Sequence, residues 1–398
     1  MAPYESDDAP GAARDEDART GRRRAARYAV PVAVVGVAAA TIGLVPALAD
    51  SGDPDLPRIS AEQLVQKIAA SDVQRLSGTV KITTDLGLPD LGGLEKGMLS
   101  GAAQGSGDGS SADPRAKLTE LVSGTHTVRV AADGPDRQKL SLLEGGEEYS
   151  LIHNGKDVWG YDSRSNEVHH STGAGSGKDH GAEPPTTPED FADEALKSVD
   201  DTTSVTVDGT AQVAGRDAYK LLIKPRQSGT TVGAISIAVD ARTGLPLKFT
   251  LTPKSGGAAV LDAGFTQVSF ARPAASAFDF TPPKGAKVTE EKEGAEAHEH
   301  APEPGGFARE LDGLKVLGKG WTSVAAFDTG AAGGLPTGPR SGDLGGFLGS
   351  LGDQVSGEFG KGTVFSTRLV NALITDDGKV YAGAVTKDAL VKAADAGK

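Results

Sequence analysis

The chain contains no cysteine, so chemistry falls to its histidines, carboxylates and aromatic side chains. Without Cys there is no thiolate metal site, no thiol nucleophile, no disulfide framework and no acylated-Cys anchor. His298, Glu299 and His300 stand together in an acidic run, and His169 and His170 precede a Gly-rich stretch that carries His180. A metal ion needs three or four ligands on a rigid frame. The 298–300 group reads as a solvated charged tract. His169 and His170, adjacent on a strand, point to opposite faces and do not share an ion. Trp159 and Tyr161 share one strand face, either as sheet packing or as a platform for a ligand. Asp162, Ser163 and Arg164 read as a turn. No Gly-x-Ser-x-Gly, Gly-x-Gly-x-x-Gly, Gly-Lys-Ser/Thr or His-Glu-x-x-His motif occurs, so nucleophile elbow, phosphate loop and zincin are all missing. The expectation is a non-enzymatic protein with no cofactor and no metal.

What the remaining elements position is therefore apolar. The chain has 398 residues, 41 basic against 54 acidic, a net charge of −13, and only 5% aromatics. The body of the chain shows no basic run, so nucleic acid is not an expected partner. Arg22, Arg23, Arg24 and Arg27 precede an uncharged stretch over 28–49, long enough at about 20 residues to cross a bilayer as a helix. The arginines belong on the cytoplasmic side. Ala47-Leu48-Ala49 fits a signal cleavage pattern, so the stretch reads equally as a removed signal or as a retained anchor. Either way the rest of the chain is expected outside the cytoplasm.

Ser60 and Gln63 predict a capping box that starts a helix with Leu64, Val65 and Ile68 on one face. Thr187, Pro188 and Asp190 predict a second helix with Phe191, Ala195, Leu196 and Val199 on its face. Each helix is followed by period-two segments. The first run includes Val80 and Ile82, then the Asn154-Gly155 hairpin signal before Trp159 and Tyr161. The second carries Leu221 and Ile223, Ile235 and Ile237, and Leu247 and Phe249. Short turns make these antiparallel meanders, and the repeated order hints at a duplicated layout. The predicted organisation is a tail at 1–27, a signal or anchor at 28–49, a main domain at 57–288 with a mobile Gly/Ser insertion at 87–114, an acidic linker at 289–306, and a small C-terminal α/β module at 307–398. In that module Leu344, Phe347, Leu348, Leu351, Val355 and Phe359 predict an amphipathic helix, 363–374 and 380–385 predict strands, and 387–394 a last helix. A curved sheet built from small aliphatic side chains either fills its core or leaves a cavity.

Residues 215–288 carry a resemblance. Gly215-Arg-Asp-Ala-Tyr-Lys-Leu221, the Asp240…Thr243-Gly244-Leu245-Pro246 hairpin, Phe265-Thr-Gln-Val-Ser-Phe270 and Phe278-Asp-Phe-Thr-Pro-Pro-Lys-Gly resemble the LolA-like lipoprotein-carrier superfamily and its RseB/MucB-like regulators. The helix after residue 60 and the strand after it also fit. The resemblance implies an α+β, mainly antiparallel fold: a half-open β-barrel with a helical lid over an apolar cavity. On that reading the cavity would be lined by Val80, Ile82, Trp159, Tyr161, Leu221, Ile223, Ile235, Ile237, Leu247 and Phe249, under lid residues Leu64, Ile68, Phe191 and Leu196. It further implies a monomeric exported carrier that holds the acyl chains of a lipid or acylated protein. The alternative is an RseB-like envelope-stress sensor that binds an anti-sigma factor or another membrane protein.

Overall fold

A computed structural model describes residues 53–87, 112, 117, 123–172, 186–291, 314–328 and 352–397. The segment 28–49, the 298–300 group and His180 lie outside the described residues. Among the described residues no helix is long and apolar enough to cross a membrane.

Helix α1 (Ala61–Ala69) starts where the sequence places it. The Ser60 side chain accepts from the Gln63 amide and Gln63 reaches back to the Ser60 amide, which satisfies two otherwise unpaired donors. Strand β1 (Arg75–Thr84) follows, then β2 (Gly124–Asp133), β3 (Arg137–Glu144), β4 (Glu147–Asn154), β5 (Asp157–Asp162) and β6 (Glu167–Thr172). Helix α2 (Pro188–Lys197) has Thr187 as its cap, Asp190 closing the box and Pro188 in the first turn. Then come β7 (Thr203–Val213), β8 (Arg216–Pro225), β9 (Val232–Asp240), β10 (Pro246–Pro253), β11 (Leu261–Ser269) and β12 (Lys287–Glu291). These twelve strands form one sheet in the order β12-β6-β5-β4-β3-β2-β1-β11-β10-β9-β8-β7. Pairing is antiparallel throughout except for β12 on β6. The edges β7 and β12 do not pair with each other, so the barrel is half open.

The two meanders thus merge at the β1–β11 pair into a single sheet, and the helices do not follow the duplicated layout. Helix α1 packs chiefly on β7 and β8, and α2 on β10 and β11. Both helices cover the second meander.

After β11 the chain crosses the outer face of the first meander. Phe278 is fully buried beside Ala131. Phe280 sits 5.5 Å from the Trp159 ring and 5.7 Å from that of Tyr161. The strap ends as β12, whose Val288 registers with Val168. Residues 289–291, expected as the start of a linker, are therefore strand. The His170 ring explains this: it faces Glu290 at 2.7 Å and Asp157 at 3.0 Å and stacks on Trp159 at 3.6 Å.

A second, six-stranded sheet runs β13 (Lys315–Leu317), β14 (Val324–Asp328), β18 (Lys379–Gly383), β17 (Asn371–Thr375), β16 (Gly360–Ser366), β15 (Asp353–Gly357), all antiparallel. Helix α3 (Lys387–Ala396) packs on it through Leu390 and Ala394. The helix expected over 344–359 is corrected at its described end. Val355 lies in β15 opposite Gly362, and Phe359 sits in the turn to β16, where Gly360 has φ 102°. That hairpin backbone excludes a helix. The single strand expected at 363–374 is two, separated by a turn in which the Thr367 amide bonds the Val370 carbonyl.

Candidate functional site

The concave face follows from strand register. Side chains alternate faces along a strand, and directly paired residues share one. Val207, Leu221, Ile237, Phe249, Ala263 and Ile82 are paired in series across six strands. Ile223 and Ile235 pair in the next row. Val80 continues through Val128 and Leu142 to Tyr149. Eight of the ten expected cavity residues, Val80, Ile82, Leu221, Ile223, Ile235, Ile237, Leu247 and Phe249, lie on this one apolar surface and are buried.

Trp159 and Tyr161 do not join them. Tyr149 pairs with Asp162, which turns Tyr161 to the opposite face beside Ser150. There Trp159 and Tyr161 anchor the strap through Phe280. Their grouping with Val80 and Ile82 is corrected by this pairing parity.

The expected lid residues sit over the second meander. Leu64, Ile68 and Ala192 are buried in one cluster with Leu221, Ile237 and Phe249, and Phe191 and Leu196 pack against it. The rings of Phe191 and Phe249 are 5.4 Å apart. Burying a side chain such as Leu64 contributes about 1.5–3 kcal/mol. The chain before α1 is seated by Tyr219, whose hydroxyl donates to the Pro57 carbonyl at 2.9 Å. The main contacts of α1 and α2 are with β7, β8, β10 and β11 rather than with β2–β4. The insertion expected to be mobile is mostly outside the described residues, but Ala112 is buried there. Its carbonyl accepts from the Tyr149 hydroxyl at 3.2 Å and comes so close to Gly160 that a Cβ would sit 2.6 Å away. Nearby, Lys117 pairs with Asp162 at 3.5 Å.

The first turn of α2 is electrostatically poised. Burial, with the neighbouring Asp190 and Asp193 charges, pushes the Glu189 carboxyl up to about 7. Burial also raises Asp190, although Thr186 and Thr187 donate to it.

Among the cavities formed by described residues, one is a polar niche of about 20 Å³ between β3, β4 and Lys117. Another, about 430 Å³, lies at one end of the sheet and is lined by Asp72, Val73, Gln74, Arg75, Thr243 and Phe270. The niche touches the concave-face row at Leu142 and Tyr149, whereas Leu64, Ile68 and Ala192 of α1 and α2 are buried against Leu221, Ile237 and Phe249. No group of three metal-binding side chains occurs among the described residues.

Two contributions escaped the sequence. Trp321, from the second sheet's segment, packs against the concave-face cluster, and its indole donates to Thr203 at 2.8 Å. Four arginines far apart in the chain converge on two aspartates near the larger cavity. Arg75, Arg137 and Arg272 surround Asp133, and Arg216 pairs with Asp240. No local pattern marks such a meeting.

No family model matches this sequence, and no curated protein matches it. Solved structures do. An uncharacterised conserved protein from Thermus thermophilus is 12% identical, covering 58% of this chain and 99% of its own, with a TM-score of 0.31. The Pseudomonas aeruginosa MucA/MucB complex gives 16% identity, 84% and 96% coverage and a TM-score of 0.34. A LolA superfamily protein from Nitrosomonas europaea gives 10% identity, 56% and 99% coverage and a TM-score of 0.20. Likenesses at TM-scores this low carry no functional weight, so function rests on the chain's own geometry.

Proposed function

We propose that this protein is an extracytoplasmic binder of acyl chains, a carrier for a lipid or acylated protein, with the concave face as its binding surface. The observation that supports this is the unbroken apolar row across β7–β1, covered by two short amphipathic helices rather than by a second sheet. An acyl chain would enter by displacing α1 and α2, exchanging one apolar contact for another at about 25 cal/mol per Å² kept from water. The apolar stretch at 28–49 supports export, with the folded part on the outer side. Titration of the delipidated full chain with cis-parinaric acid tests the reading. Saturable fluorescence enhancement, reversed by an unlabelled fatty acid, is expected; no enhancement would overturn it.

A second reading, a sensor that binds an anti-sigma factor, is favoured by the way the second sheet is seated on the first. Thr230 pairs with Val385 as an isolated bridge, and its hydroxyl donates to the Ala384 carbonyl at 2.8 Å. Arg368 reaches Asp85 at 2.6 Å and the Ala258 carbonyl. A second module in direct contact with the first is what a receptor needs to report its occupancy. Removing 307–398 is expected to abolish capture of a single-pass membrane partner and to spare acyl binding. Unchanged capture would count against this reading.

A further inference from the structure

Among the described residues, positive charge gathers around Asp133. Asp133 has a side chain only 4% exposed and receives Arg75 at 3.2 Å, Arg137 at 2.7 Å and Arg272 at 3.0 Å. One carboxylate cannot neutralise three guanidiniums. Arg137 is one-third exposed, while Arg75 and Arg272 are 58% and 59% exposed and each gives Asp133 one Nε bond. Each guanidinium has five N–H donors, so both retain donors that face water. Burial pushes the Asp133 carboxyl up, but the bond from Arg272 and the charges of Arg137 and Arg272 outweigh it and hold the group below its ordinary value. The aspartate stays ionised and keeps the guanidiniums in place.

Arg75 also lines the 430 Å³ cleft, which is within the range of about 300–1,000 Å³ typical of small-molecule sites. Thr243 and Phe270 line the same cleft. Arg216 lies 4.5 Å over the Phe270 ring and is committed to Asp240, so it stiffens this wall rather than offering charge. Val73 and Phe270 pack against the cluster that holds Leu76, Val80 and Leu247. At this end of the sheet the cleft thus joins Val73 and Phe270, which reach the apolar cluster, to the Arg75 guanidinium, which through its pairing with Asp133 stands on the strap face. Asp72 is the carboxylate that lines it.

We infer that this cleft is the headgroup subsite of an anionic amphiphile: a phosphate or carboxylate on Arg75, with the first tail carbons on Phe270 and Val73. This rests on the acyl-binding reading and sharpens it from any acyl chain to one that carries a negative charge. Guanidinium is suited to the task because its planar donors match either anion in two bonds.

The test titrates the full chain calorimetrically with dodecyl phosphate, dodecyl maltoside and inorganic phosphate, the detergents below micelle formation. Dodecyl phosphate is expected to bind about tenfold or more tighter than dodecyl maltoside, the worth of one charge-assisted bond, with inorganic phosphate weaker than either. Arg75→Gln is expected to remove the preference and keep the maltoside affinity. Asp72→Asn, at an exposed position, is expected to tighten dodecyl phosphate only. Equal affinity for the two detergents would overturn the headgroup subsite and leave acyl binding standing. Binding of inorganic phosphate as tight as dodecyl phosphate would overturn it in favour of a free-anion site. Binding of neither detergent would sink both readings together.

Discussion

Asp240 shows how much one buried carboxylate organises. Its oxygens accept from Arg216, from the amides of Arg242 at 3.0 Å and Thr243 at 2.7 Å, and from the Thr243 hydroxyl at 2.9 Å. This closes the β9–β10 turn, in which Gly244 holds φ 80° with its Cα against the Lys67 carbonyl of α1. Burial raises the Asp240 carboxyl, but the Arg216 and Thr243 bonds overcome it and the group sits below its ordinary value. Asp240→Ala is expected to cost near the low end of about 3–5 kcal/mol, since Arg216 keeps some exposure; urea unfolding measures it. A lowered folded value gives stability that is complete above the unfolded value of about 3.9 and is lost as pH falls through the folded one. The destabilisation by Asp240→Ala should therefore shrink below pH 4. The Asp-x-x-Thr-Gly pattern made this turn legible, because every partner lies within five residues except Arg216. Trp159 and Tyr161 were legible only as a pair. Which side of the sheet they occupy depends on the register of β4 on β5 and of strands far away in the chain.

At the scale of elements, the helix starts and the Asn154-Gly155 hairpin could be read because caps and tight turns are local chemistry. Strand β12 could not: its parallel pairing joins residue 288 to residue 168 through contacts of Phe278, Phe280 and His170 that no local period records. The apolar spacing that mimicked a helix at 344–359 failed for the same reason, since at Val355 a hairpin partner decides the backbone. The lid helix α2 carries its own pH dependence. Glu189, raised to about 7, favours the folded state below the ordinary carboxylate range and loses that contribution as pH rises through about 7. Glu189→Gln is expected to raise the melting temperature at pH 8 and to leave it nearly unchanged at pH 4. Scanning calorimetry at both values checks this, and an equal shift at the two would contradict the assignment. The same ionisation would loosen the lid in alkaline solution and speed exchange of a bound chain.

For the whole molecule, antiparallel strands and two capped helices were foreseeable from alternation and caps and the half-open sheet from the resemblance of residues 215–288, while the side chains that join the two sheets were not. Trp321 is the side chain through which the second sheet touches the concave-face cluster. The chain has two tryptophans, so Trp159→Phe leaves Trp321 as a single reporter of that seam. In this variant an acyl ligand that lifts α1 and α2 is expected to shift Trp321 emission to longer wavelength, and Trp321→Ala to weaken docking of the second sheet. Unchanged emission at saturating ligand would separate the sheets functionally. The central claim, that the concave face holds acyl chains, is tested most directly by native mass spectrometry of the full chain purified in mild detergent, followed by solvent extraction and lipid analysis. The expected result is a lipid-bound form at defined stoichiometry that yields an acyl lipid and melts higher than the delipidated chain. A protein that emerges free of lipid, and whose melting temperature does not move when the extracted lipids are added back, would contradict it.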